Sequence, residues 1–397
     1  MSENTVSVRE LRANAVPLVN PLAKKLHLSG DHWGIAAGII AVGTLIRIGV
    51  FALLAVANDE PVAGMFTAWD AQHYAAIAQW GYFDLPPGEG LGEDPVWEVR
   101  LAFFPALPML LRLLTAVGIN VFAAGFMLST VASIFLAAGV MALTARWGYN
   151  LCGQTVAAIV ATSAPMSLVL SMVYTEALFG ALAIWALVAL WDRNWLVAAA
   201  LVTLLSTVRI TAVGMVVVFA VMVAIYARRN WKAWLLVLVT PLPLVSYVVW
   251  ASRHLTDDGS FGGYFATQKK HWNTGIDFGV ATARWVAETV TEATEPGYLL
   301  STLAIIAAPL ALFAAWRQVD LATWLFCAAV AANILLSDGI MHSRPRLLLP
   351  LAILMVPPIV YAVRVLPPRI GWLALAGWVA FGAWFSAYML VVFPWAI

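Results

Sequence analysis

The chain has 397 residues, 62% of them hydrophobic and 11% charged, against roughly a quarter charged in a soluble domain, which excludes a soluble globular protein. A formal net charge of +1 offers no basic surface to nucleic acid, and no zinc-finger, helix-turn-helix or ribonucleoprotein motif interrupts the apolar runs. The two cysteines, Cys152 and Cys327, lie at or in apolar stretches and supply neither a disulfide framework nor a thiolate metal cluster.

A hydrocarbon layer about 30 Å thick takes roughly 20 apolar residues per helix. Residues 1–32 carry Arg9, Arg12, Lys24 and Lys25 but no apolar core, and read as a cytoplasmic segment without a cleaved signal peptide. Apolar spans follow at 33–57, 120–144, 153–171, 174–191, 195–208, 210–227, 231–251, 298–316, 319–337, 347–363 and 370–394. The expectation is therefore an all-α polytopic membrane protein with about eleven transmembrane helices. The stretch 101–117 is apolar but short and is broken by Pro105, Pro108 and Arg112, so it reads as an interfacial or re-entrant helix.

Charge orients this arrangement. With the N-terminus cytoplasmic, the loops at Arg146, Arg193, Arg228 to Lys232, Arg317 and Arg364 to Arg369 fall inside, and 12 of the 22 Lys and Arg residues are cytoplasmic although the outer loops are longer. Counting 101–117 as a span would turn every basic cluster from Arg146 to Lys232 outward. Sixteen of the 21 Asp and Glu residues then lie outside, and the two long outer loops, 58–119 and 252–297, are the expected seat of chemistry. No internal repeat is evident, which counts against a secondary transporter.

The first loop places Asp70, His73, Tyr74 and Ile77 at i, i+3, i+4 and i+7 of a helix, so a carboxylate, an imidazole and a phenol share one face. Asp70 either caps that helix or, poised at a dry boundary, takes a proton from a hydroxyl. Tyr174 and Glu176 stand at the outer end of a hairpin, where Glu176 complements a helix dipole or supports an acceptor. Arg209 follows a 14-residue apolar run that is too short to cross, so it snorkels or binds phosphate. Gln268, His271 and Trp272 share a face that suits a sugar or phosphate, or a helix resting on the membrane. His342, Arg344 and Arg346 at the mouth of a span read as headgroup anchors or as a phosphate clamp. No metal-binding, Walker, dinucleotide or GxSxG motif is present.

Four stretches in order, WDAQHYAAIAQWGY, AFFPALPMLLR, YTEALF with TVRITAVG, and YFATQKKHWNTG, make the chain resemble the GPI mannosyltransferase II (PIG-V) type of glycosyltransferase and its bacterial relatives. The resemblance spans residues 66 to about 275, and SRPRLLLP extends it loosely. It implies a C-type glycosyltransferase-like fold with interfacial helices in the first outer loop, a catalytic module over 33–297, and C-terminal transmembrane helices over 298–397. It also implies a polyprenyl-phosphate-mannose donor, an acceptor that is a lipid or glycolipid or another envelope molecule, and inverting transfer without a metal or other cofactor. Asp70 would be the catalytic base. Arg209, His271, Arg344 and Arg346 would hold the donor phosphate, with His73, Tyr74, Tyr174, Glu176, Gln268 and Trp272 around the substrates. Simple loops and an Ala- and Val-rich composition suggest a bacterial, actinobacterial plasma membrane. The competing expectations are a transporter or flippase for an anionic lipid or lipid-linked sugar, and a non-catalytic scaffold.

Overall fold

A computed structural model describes residues 30–85, 96–256, 262–292 and 295–395. The segment before residue 30, with its four basic residues, and the acidic stretch 86–95 lie outside the described residues. The described chain is helical, with no strand beyond one bridge between Ile276 and Ser337. The helices are α1 (Gly30–Ala57), α2 (Val62–Phe66), α3 (Asp70–Trp80), α4 (Val96–Arg100), α5 (Ala106–Thr115), α6 (Val121–Arg146), α7 (Leu151–Thr162), α8 (Glu176–Trp191), α9 (Trp195–Leu205) and α10 (Val213–Tyr226). They continue with α11 (Trp231–Val239), α12 (Leu242–Leu255), α13 (Gly263–Trp272), α14 (Val280–Glu292), α15 (Pro296–Ala315), α16 (Leu321–Leu335), α17 (Arg344–Leu347), α18 (Val356–Val365) and α19 (Pro368–Ala387). Side chains of Asn120, Asn150, Asn194, Asn230 and Asp320 accept backbone N–H groups at the starts of α6, α7, α9, α11 and α16. These caps satisfy donors that the first helical turn leaves free.

Five helical stretches are long and apolar enough to cross a bilayer: Gly30–Ala57, Val121–Arg146, Trp231–Leu255, Pro296–Ala315 and Pro368–Val392. A sixth is the pair Met341–Leu347 and Leu349–Val365 if its 57° bend is bridged. The protein is thus a helical membrane protein. The other apolar helices are shorter. The expected span 153–171, for instance, is helical only to Thr162 and resumes as a 3₁₀ turn at Ser167–Ser171, because Pro165 and Met166, at φ 66°, interrupt it. The stretch 101–117 contains the ten-residue α5, whose length of roughly 15 Å falls short of a crossing.

α6 is the central post, buried on every side from Ala137 to Arg146 and wrapped by α1, α7 and α8. The interrupted segment beside it would leave backbone carbonyls without partners in an apolar interior. Its neighbours provide them. Ser129 and Ser133 of α6 donate to the carbonyls of Met172 and Leu170 at 2.5 and 3.1 Å. Arg47 of α1, 2% exposed, donates through Nη1 to the Thr162 carbonyl at 2.7 Å and through Nη2 to the hydroxyls of Thr44 and Ser171. On the far side α19 meets the segment at Gly382, where an added Cβ would overlap the Ser163 carbonyl oxygen. Gly382→Ala is therefore expected to cost ~1–3 kcal/mol in a denaturant titration; unchanged stability would show that α19 moves aside freely.

The helices sort polar residues to two ends. At one, Arg146 pairs with both oxygens of Asp192 at 2.9 and 2.6 Å, Trp147 donates to Asp320 at 3.0 Å, and Arg193 stacks on Tyr226 at 4.6 Å. These residues stand in or beside the loops that charge counting assigned to a single side. At the other end, the start of α8 meets α3, the 208–211 break and α17.

Candidate functional site: a chamber of carboxylates and arginines

At this second end a cavity of about 230 Å³ is enclosed by the start of α3, residues 102–104, the start of α8, residues 208–211, one face of α13 and residues 333–347. Asp70 is the first residue of α3, and Trp69 before it sits at φ 60°. That left-handed conformation costs ~1–3 kcal/mol for a residue other than glycine. The turn it makes brings the Asp70 carboxylate to the chamber wall, with its side chain 25% exposed.

An ion-pair chain runs from that carboxylate. Arg346 Nη1 donates to Asp70 Oδ2 at 2.6 Å, Arg346 Nε lies 3.6 Å from Glu176 Oε1, and Arg209 Nη1 donates to the same Oε1 at 3.1 Å. Glu176 Oε2 is buried without a hydrogen-bond partner. Aromatic faces back both cations, with Tyr174 5.0 Å from the Arg346 guanidinium and Phe179 5.5 Å from that of Arg209. Arg344 is different. It is buried, it donates to Thr282 Oγ1 at 2.5 Å and to the Ser337 carbonyl, and among the described residues it forms no ion pair. Asp338, also on the wall, is held by Lys269 and Asn273. Asp70 and Glu176 are thus taken by Arg346 and Arg209, whereas Arg344 lies in the field of Asp277 and Asp338 without a direct pair to either. A buried charge persists where something compensates it, and Arg344 is the chamber guanidinium that has no carboxylate in direct contact among the described residues.

Tyrosines hold the wall in place. The hydroxyls of Tyr82, in the turn after α3, and Tyr247 from α12 donate to the Phe103 carbonyl at 2.9 and 2.6 Å, and that of Tyr264 from α13 donates to the Ala102 carbonyl at 3.2 Å. They satisfy the non-helical LAFFP stretch and fasten the first outer loop to α12 and α13. Burial pushes the Tyr82 hydroxyl up to about 12 and those of Tyr74 and Tyr264 well above the ordinary phenol range. These groups stay protonated donors. The remaining wall is fixed by the bridge between Ile276 and Ser337, flanked by Asp277 N–H to Leu336 O at 3.2 Å and Asp338 N–H to Gly275 O at 2.7 Å.

Of the residues singled out by sequence, Asp70, Tyr74, Glu176, Arg209, Gln268, Trp272, Arg344 and Arg346 all line the chamber. Three do not. His73 stacks on Phe103 at 4.9 Å behind the wall, and burial lowers its pKa. Tyr174 lies beneath Arg346 as an aromatic floor. His271 turns to Glu98, with Nε2 3.5 Å from Oε1, because one helical turn of α13 presents Gln268 and Trp272 to the cavity and His271 to α4. The third member of the span-mouth cluster, His342, packs against Tyr298 and Phe393. Sequence reasoning passed over Thr175, Thr211, Thr274, Asn333, Ser337 and Asp338 on the same wall. They stand in turns or at helix ends, where no period marks them. Among the described residues, no three His, Cys, Asp or Glu side chains converge as metal ligands.

No protein-family model matches the chain, and no curated protein matches it.

Proposed function

We propose that the protein is an integral-membrane glycosyltransferase of the C-type, resembling the GPI mannosyltransferase II type, and that it moves mannose from a polyprenyl-phosphate donor to a hydroxyl of a lipid, glycolipid or other envelope acceptor. The observation that supports this reading is the meeting of Asp70 with Arg209, Arg344 and Arg346 in one chamber, where Arg344 has no carboxylate in direct contact among the described residues. In the eleven-span arrangement of this reading, short helices such as α7 complete their crossings together with the 3₁₀ segments that follow them, and the chamber opens on the outer face of a bacterial plasma membrane.

The reaction uses the chain's own groups. The acceptor hydroxyl oxygen attacks the anomeric carbon from the face opposite the phosphate, Asp70 takes the hydroxyl proton, and the bond from that carbon to the phosphate oxygen breaks with its electron pair on the phosphate. A phosphate leaves as an anion, so the second carboxylic acid of a glycosidase is dispensable. The demand is for positive charge where the leaving group gathers it. Arg344, with no carboxylate in direct contact among the described residues, meets that demand, and Arg209 is exchangeable between Glu176 and the phosphate. Arg346 serves Asp70 instead: it holds one carboxylate oxygen and leaves the other to the hydroxyl. An apolar cavity that shares Glu176 and Arg209 with the chamber and runs between Phe179, Ile184, Phe326 and Ile353 is continuous with a place for the lipid chain.

The test is an assay of the purified protein in nanodiscs with labelled polyprenyl-phosphate mannose and a bacterial envelope lipid extract. Label should pass to an acceptor as polyprenyl phosphate is released. Arg344→Gln should raise the donor KM by about 10–100-fold, the worth of a hydrogen-bonded charge, while the protein still elutes as a folded monodisperse peak. Wild-type protein that consumes no donor would end this reading.

A further inference from the structure

The end of the molecule opposite the chamber carries a second cation cluster that transfer chemistry does not use. Arg193 follows α8, Arg228 and Arg229 follow α10, and Lys232 opens α11. Among the described residues none of the four forms an ion pair. The nearby carboxylate, Asp192, has both oxygens taken by Arg146.

Two of these cations frame a surface groove of about 650 Å³ between α9 and α11. Its mouth holds Arg193 and Lys232, and its walls below are Trp195, Leu196, Trp231 and Leu235. Leu196 is 69% exposed and Trp231 65%, so this apolar wall is open to the surroundings of the bundle. Both α9 and α11 begin at the groove, and their N-terminal dipole ends add positive potential there. The backbone of Arg193 gives an independent sign. It stands at φ 53°, directly after α8, with its N–H to Leu190 O and the next N–H to Ala189 O. That is the helix-ending position at which glycine is the comfortable residue. An arginine is held there under strain, and its guanidinium is laid over Tyr226 at 4.6 Å.

We propose that this groove is a fixed binding site for an anionic phospholipid of the adjoining leaflet, with the headgroup phosphate between Arg193 and Lys232 and one acyl chain along Leu196 and Leu235. A cationic mouth over an apolar trough between two membrane helices suits a phosphate that carries a hydrocarbon tail. Arg228 and Arg229 stand beside it and raise the local concentration of anionic lipid. The site is independent of the transfer reaction and does not touch the chamber.

Native mass spectrometry of the full chain, released from mixed phosphatidylglycerol and phosphatidylethanolamine nanodiscs, tests it. Wild type should retain phosphatidylglycerol. Arg193→Gln with Lys232→Gln should lower the retained fraction roughly 10–30-fold. Arg193→Gly should lower it as well although glycine relieves the backbone, an effect that a merely structural arginine would not produce. Arg317→Gln with Arg369→Gln, which removes two other basic residues of the loops counted on the same side, should leave retention unchanged. Equal loss in that control would show diffuse attraction and overturn the site. Undiminished retention in the Arg193 and Lys232 variant would overturn it too. So would full displacement of the lipid by millimolar glycerol phosphate, which would make the ligand a free phosphate.

Discussion

Asp70→Asn is expected to abolish mannose transfer, with kcat lowered at least ~10²–10⁴-fold, the range a positioned general base supplies. The amide can still accept from Arg346, so the chain should fold and insert, with a loss of about 1–2 kcal/mol from the weakened hydrogen bond. Donor affinity should change little, because the phosphate contacts assigned to Arg344 and Arg209 are untouched. Asp70→Glu should restore part of the rate, since its longer carboxylate reaches the same chamber from the first turn of α3. The measurement is single-turnover transfer in nanodiscs with donor binding followed separately. Normal turnover in Asp70→Asn would remove the base from the mechanism.

The largest expected effect on stability belongs to Arg346. Its side chain is 10% exposed and compensates both Asp70 at 2.6 Å and Glu176 at 3.6 Å. Arg346→Ala strands those carboxylates, and breaking a buried pair in this way costs ~3–5 kcal/mol. Replacing both partners, Arg346→Leu with Asp70→Leu, should recover most of that loss, because a buried pair exchanged for apolar groups is often neutral or stabilising. The double variant would then be stable and inactive. Denaturant titration of the three proteins separates the outcomes. An Arg346→Ala protein as stable as wild type would mean that Arg209 and water compensate the carboxylates, and the ion-pair chain would lose its structural meaning.

Much of this organisation was legible beforehand, and the reasons are physical. Hydropathy located the helices because lipid-facing and core-facing positions of a membrane helix are both apolar. Charge separated the ends, since basic loops gather on one side, and Arg146, Arg193 and Lys232 do lie together, away from Asp70 and Arg344. Spacing brought Asp70, Tyr74, Gln268 and Trp272 to one cavity because helical period alone decides which way they face. It put His73 on one face with Asp70 and His271 on one face with Gln268, whereas the neighbours Phe103 and Glu98 hold these two rings off the cavity wall. Apolar runs also overstated helix length. Nothing in the composition of 153–171 says that the chain changes to a 3₁₀ turn after Thr162, since the donors to its carbonyls that make this tolerable lie in α1 and α6. The strained Trp69 has no sequence signature at all, and the outlier is visible only once the chain is folded.

The bonds of Arg47 also bear on how the protein is made. Its carbonyl partner, Thr162, comes 115 positions later, so at ~5–20 residues per second the ribosome adds that partner roughly 6–23 s after the arginine. During this interval the helix Gly30–Ala57 must enter the bilayer with its guanidinium held by Thr44 alone, against a translocon cost of about 2.5–3.5 kcal/mol. A mean hydropathy of 2.5 over its best window is enough to carry it across. Synthesis of residues 162–171 then gives the waiting cation its remaining acceptors, so the nascent chain acquires an internal latch that draws its seventh helix onto the first before the later walls of the chamber are made.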